Sequence, residues 1–136
     1  MASAVAGAAG EAGGGASGGT SESNLKQIGT ALLMYVQDYD EVLPPMTSAA
    51  QLSKVLQPYC KNTAIFTQPG AEKPYQPNPI LSKKKLVHIA SPATMVSLYE
   101  IVPASDGSRW AVFLDGHVAK VTESDWPNVK KASKIQ

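Results

Sequence analysis

The chain is poor in most of the features that mark a dedicated chemistry. It has one cysteine in 136 residues, Cys60. A lone thiol excludes an internal disulfide framework and any metal site built from several thiolates of one chain. The longest uninterrupted apolar run is Ala31–Val36, six residues, whereas a bilayer-spanning helix needs about 20. No membrane span is expected in this chain. Twelve basic and eleven acidic side chains leave a net charge of +1, which excludes a polyanion-coating protein and an acidic solvating tail. Aromatics are few, 7% of residues. The basic runs Lys83–Lys85 and Lys130, Lys131, Lys134 therefore read as solvated lysines, since isolated phosphate contacts are weak and salt-dependent. No nucleic-acid partner is expected. There is no Gly-x-Ser-x-Gly, no His-Glu-x-x-His and no phosphate-cradling loop. Cys60 carries no nucleophile signature and reads as a small buried apolar residue. The chain does not read as an enzyme.

What is present is uneven. Hydrophobic residues make up 43%, near a globular average, and the length suits one domain. Residues 1–19 hold seven Ala and seven Gly. Such a segment has little side-chain surface to offset its loss of backbone entropy, so residues 1–20 read as a tail or linker and 21–136 as the globular domain. Residues 1–60 carry a net −3 and residues 61–136 a net +4, a mild dipole that would favour head-to-tail self-association.

Residues 22–40 predict a helix. Leu25, Ile28, Leu32, Tyr35, Val36 and Tyr39 recur at spacings of three and four, with Ser21 and Ser23 as candidate N-caps. Leu33 and Met34 widen the apolar face beyond one small sheet. A shorter helix is expected from Thr47 or Ser48 to Leu56, burying Leu52, Val55 and Leu56. The prolines of 61–82 exclude a central strand there, leaving at most an extended piece at Ala64–Phe66. Strands are expected at Leu86–Ile89, Thr94–Val102, Arg109–Leu114 and His117–Thr122. The last two flank Asp115-Gly116, a hairpin signal. A two-residue turn would pair Phe113 with Val118. It would also set Trp110, Val112, Leu114, Ala119 and Val121 on the helix-packed face. Phe113 and Val118 would then form an apolar pair on the other face, calling for a second layer or a partner. The expected class is α+β, one long N-terminal helix packed on a small antiparallel sheet.

Three stretches carry a resemblance. Ser23-Asn24-Leu25-Lys26-Gln27-Ile28-Gly29, running on through Ala31–Asp40 to Leu43-Pro44-Pro45, resembles the segment after the membrane helix in bacterial type IV pilin-like proteins. Phe113-Leu114-Asp115-Gly116-His117-Val118 resembles the C-terminal Asp-Gly-His hairpin of a prepilin-like subgroup. Tyr59–Asn62, Ile65-Phe66 and Ser91–Thr94 fit the intervening blocks. The resemblance implies a pilin or pseudopilin fold. It also implies a structural subunit of an extracellular or cell-surface filament, of the type IV pilus or type II secretion kind, and brings no catalytic residue. The expected partners are copies of the chain and possible other pilin-like subunits. Expected assembly contacts are Leu25, Ile28, Leu32, Leu33, Met34, Phe113 and Val118. A soluble pilin-like module binding a ligand, metal or secretion component is the alternative. The chain departs from the pattern in three places. Ala and Gly stand where relatives carry a peptidase site and an apolar helix. Ser105 stands where relatives carry a histidine, and Gln68 where many carry a cysteine.

Asp115, Gly116 and His117 form the hairpin motif. The resemblance makes Asp115 a candidate calcium ligand, although calcium takes six to eight oxygens and turn chemistry alone accounts for an Asp here. No other cofactor is expected.

Overall fold

The structure is a computed structural model that describes residues 20–135. Residues 1–19, the expected tail, lie outside the described residues. Among the described residues, three α-helices and six short strands follow in the order α1 (Ser21–Asp38), α2 (Ala49–Leu56), β1 (Thr67–Gln68), β2 (Lys73–Pro74), β3 (Gln76–Pro77), β4 (Val96–Tyr99), β5 (Arg109–Phe113), β6 (Val118–Val121) and α3 (Trp126–Ala132). The class is α+β, as expected.

α1 starts one residue earlier than the candidate caps suggest. Thr20 is the N-cap, its hydroxyl accepting from the Ser23 amide at 3.1 Å. Ser21 is instead the first helical residue and is buried. Leu25, Ile28, Leu32 and Val36 are almost wholly buried. Full burial of one such side chain stabilises by about 1.5–3 kcal/mol, so this stripe is a main source of cohesion. The stripe frays at its end, where Tyr39 is 52% exposed. α2 is capped by Ser48 and buries Leu52 and Leu56, with Val55 half-buried.

β1 and β2 form a two-stranded hairpin; β3-β4-β5-β6 form an antiparallel sheet in that order. Pro77 sits on the outermost strand β3, where a missing amide donor is tolerated. Two expected extended pieces turn out otherwise. Ala64–Phe66 lies in a 3-10 turn, Thr63–Phe66, started by the Asn62 side chain accepting from the Ala64 amide. Leu86–His88 is also a 3-10 turn, joined to the residues after α1 by a bridge between Val42 and Lys85, with Leu86 and Ile89 packed on the core. Thr94–Val102 contracts to β4, since Pro92 starts a turn ahead of it.

The hairpin register differs by one residue from the two-residue turn. Val112 pairs with Val118, Ala111 with Ala119, Trp110 with Lys120 and Arg109 with Val121. The loop is Leu114-Asp115-Gly116, closed by Gly116 N donating to Phe113 O and Phe113 N donating to His117 O, each 2.8 Å. Gly116 takes φ +97°, the left-handed position that completes a three-residue hairpin loop. A slip of one residue moves a strand's side chains to opposite faces. Val118 therefore joins Trp110, Val112 and Leu114 on the α1 side, while Ala119 and Val121 join Val96, Ala111 and Phe113 on the far side.

Phe113 and Val118 thus share no outward patch. The far face is covered by the chain itself, through Trp126, Val129 and Ile135 of the C-terminal segment. Phe113 is only 7% exposed. Ser133 locks this cover down: its hydroxyl accepts from the Val96 amide at 2.8 Å, and its carbonyl accepts from Asn78 Nδ2 at 2.8 Å.

Candidate functional site

The Asp-Gly-His hairpin tip lies on α1. A Cβ added to Gly29 would stand 2.6 Å from Val112 Cγ2 and 3.7 Å from Gly116, and one added to Gly116 would stand 3.1 Å from Leu33 Cδ1. Helix and hairpin therefore approach closely only because both positions are glycine. Of the residues expected to mediate assembly, Leu25, Ile28 and Leu32 are spent on this chain's own core. Leu33 and Met34 are half-buried, with Leu33 against the hairpin tip.

The Asp115 carboxylate accepts from the His117 amide at 3.0 Å and lies 2.6 Å from His117 Nδ1. The His117 ring stacks on Phe113 at 4.5 Å between centroids, with the ring planes nearly parallel. Partial burial raises the Asp115 pKa, but the amide bond, ring bond and positive field of His117 outweigh it and hold the carboxyl below its ordinary value. Among the described residues no group of three or more His, Cys, Asp or Glu side chains converges. Asp115 thus makes the hydrogen bonds of a turn carboxylate, to the amide and ring of His117.

The same loop chemistry recurs between β4 and β5. Gly107 N donates to Ala104 O, Gly107 takes φ +84°, and Asp106 Oδ1 accepts from the Ser108 amide at 3.0 Å and from its hydroxyl. Ser105 is exposed in this loop.

A buried polar chain forms the other notable cluster. Asn24 Nδ2 donates to Tyr75 Oη at 3.2 Å. Ser21 donates its hydroxyl proton to Glu100 Oε2, so Tyr75 must donate its own to Ser21, across 2.8 Å. Glu100 Oε1 accepts from the Trp110 amide at 2.8 Å. All four side chains belong to buried residues. Burial pushes the Tyr75 phenol up and the nearby Glu100 adds to it, against the hydrogen bonds with Ser21 and Asn24 that lower it. The start of α1 is thereby fixed to β4, β5 and the residue before β3. Beside it lies an open groove of about 370 Å³ whose wall includes Glu100, Gln68 and Lys120. Gln68, at the position where the resemblance implies a cysteine, pairs both ways with the Val102 backbone, at 2.7 and 3.1 Å. It ties the β1–β2 hairpin to the end of β4 without a covalent bond.

Cys60 donates its thiol proton to Leu56 O at 3.5 Å, and burial pushes its pKa up to about 12. That is the state of an inert packing thiol. Tyr35 stacks on Tyr39 at 4.0 Å and meets Tyr59 edge-on, while Tyr59 donates to the Asp38 carboxylate at 2.5 Å. Among the described residues no helix is long and apolar enough to cross a membrane.

Sequence reasoning pointed to the hairpin and missed the polar chain. Ser21 and Glu100 are 79 positions apart, and nothing in either neighbourhood signals the pairing. Compared with protein-family models, curated proteins and solved structures, the chain finds no match.

Proposed function

We propose that this chain is the head domain of a pilin-like structural subunit, working at the cell surface or outside the cell. It assembles with its own copies or related subunits through the segment that precedes α1, and carries out no catalysis. One observation carries the reading: the Asp115-Gly116-His117 hairpin is folded onto α1 at Gly29 and Leu33, joining the two stretches that bear the pilin resemblance. Ser21, held by Glu100 and Tyr75, fixes the start of α1 and so the point from which a polymerising segment would leave the head. The head's own sheet plays no lateral role in this reading, because Phe113 is covered and Val118 packs half-buried on the α1 side.

That covering also favours a second reading, a monomeric pilin-like module that binds a partner or ligand. Light scattering and electron microscopy of the full chain and of a chain lacking residues 2–19 separate the two. The assembly reading expects oligomers or filaments from the first and monomers from the second. Monomers from both would overturn it in favour of the binding module.

A further inference from the structure

The fold brings two distant basic runs to one groove. Lys84, from the triple-lysine run, and Lys134, from the C-terminal run, stand with His88 around a cleft of about 500 Å³. The rest of its lining is mainly apolar, Ile80, Leu81, Ile89 and Met95 with Ala90 and Ala132, beside the hydroxyls of Ser91 and Thr94. No acidic side chain lines it. Lys85 is engaged by Asp40 at 3.9 Å, but among the described residues neither Lys84 nor Lys134 has a carboxylate within ion-pair distance.

Three of its walls are pinned in place: the Pro79–Leu81 turn, the turn before β4 and the end of α3. The Lys84–Ser91 segment supplies the rest of the lining. Asn78 and Ser133, both at 0% exposure, link all three. Asn78 Oδ1 accepts from Ile80 N, its Nδ2 donates to Val96 O and Ser133 O, and Ser133 Oγ donates to Thr94 O. A cleft held by buried hydrogen bonds does not need to be ordered by its occupant, which lowers the cost of binding.

The charge and lining select the occupant. A polyanion gains nothing from an aliphatic floor without aromatic rings to stack on. A neutral lipid gains nothing from two free ammonium groups. A molecule with an aliphatic chain and one anionic end uses both. We propose that this groove binds a linear aliphatic carboxylate, its chain on Ile80, Ile89 and Met95 and its head on Lys84 and Lys134. The proposal does not rest on the assembly reading, and it holds for monomer or filament.

Calorimetric titration of the full chain with octanoate, decanoate and decan-1-ol, all below their micellar or solubility limits, tests it. Each added methylene should tighten binding about fourfold, so decanoate should bind about fifteenfold tighter than octanoate. Decan-1-ol should bind at least about tenfold more weakly than decanoate. The Lys84→Gln/Lys134→Gln double variant should lose about tenfold for decanoate, while Lys83→Gln should lose none. Both replaced lysines are exposed, so folding is not at stake. Methyl resonances of Ile80, Ile89 and Met95 should shift with occupancy. Equal binding of decanoate and decan-1-ol, equal binding of octanoate and decanoate, an undiminished double variant, or shifts confined to another face would each overturn the proposal.

Discussion

Single residues decide more here through burial than through reactivity. Glu100 is the clearest case, accepting from the buried Ser21 hydroxyl and from the Trp110 amide. Each buried donor left unsatisfied costs about 1–3 kcal/mol. Glu100→Ala should therefore destabilise by about 2–4 kcal/mol in urea unfolding, and Glu100→Gln by less, since an amide oxygen still serves Trp110. An Ala variant as stable as the parent would mean that the Ser21–Tyr75–Glu100 chain holds nothing together. Asp115 acts in a different way. Its folded pKa lies below the ordinary Asp value of about 3.9. Its contribution is therefore complete above that value and is lost as pH falls through the folded one. Asp115→Asn should cost a fraction of a kcal/mol at pH 6, because the group is 38% exposed and screened. The difference between variant and parent should close as the pH falls through the folded value. A gap independent of pH, measured by thermal unfolding, would assign the loss to the hydrogen-bond shape and not to the charge. Neither Glu100 nor Ser21 announces itself in the sequence, because a buried polar pair depends on where the chain returns, and no local pattern encodes that.

At the scale of elements, what was legible is what has a period. α1 and α2 follow from apolar spacing and from a hydroxyl before the first turn. The hairpin's existence followed from Asp-Gly, but its register did not. Asp115 captures the His117 amide, lengthening the loop to three residues, and that one step exchanges the faces of Val118, Ala119 and Val121. Leu86–Ile89 was ambiguous for another reason. A run of four mostly apolar residues fits a strand or a turn equally, and here only the Val42–Lys85 bridge forms. The close approach of α1 to β5 gives a test with opposing signs. Gly29→Ala should gain up to about 1 kcal/mol from helix propensity. It also places a Cβ 2.6 Å from Val112 Cγ2 in the core, and overpacking there costs about 1–3 kcal/mol. Packing should win, with a net loss of about 1–2 kcal/mol in denaturant unfolding. Rescue by Val112→Ala in the Gly29→Ala background would confirm the contact. A stabilised single variant would show that α1 sits farther from the sheet.

The whole molecule is a sheet covered on both sides by one chain, α1 on one face and the C-terminal segment on the other. A second layer was one of the two alternatives an outward apolar face called for; that the C-terminal segment supplies it was not read from the sequence. It comes from a seven-residue helix whose sequence, with Pro127 and three lysines nearby, lacks a strong apolar stripe. Its grip comes from a few specific contacts. Trp126 packs on Tyr99 at 5.1 Å, Arg109 lies 4.6 Å over the Trp126 ring, and Ser133 satisfies the Val96 amide. A chain ending at Asp125 would uncover Val96, Ala111, Phe113 and Val121 together, a contiguous apolar patch of the kind that drives association. That truncation should bind a hydrophobic dye, associate in a concentration-dependent manner and melt at least about 10 °C lower, the shift expected for a loss of a few kcal/mol in a domain of this size. The milder Ser133→Ala keeps the cover and removes one buried acceptor, so it should cost about 1–3 kcal/mol without dye binding. If the truncated chain stayed monomeric, dye-free and equally stable, the far face would not be an internal core. The outward Phe113 surface would then return as a candidate for contact between subunits.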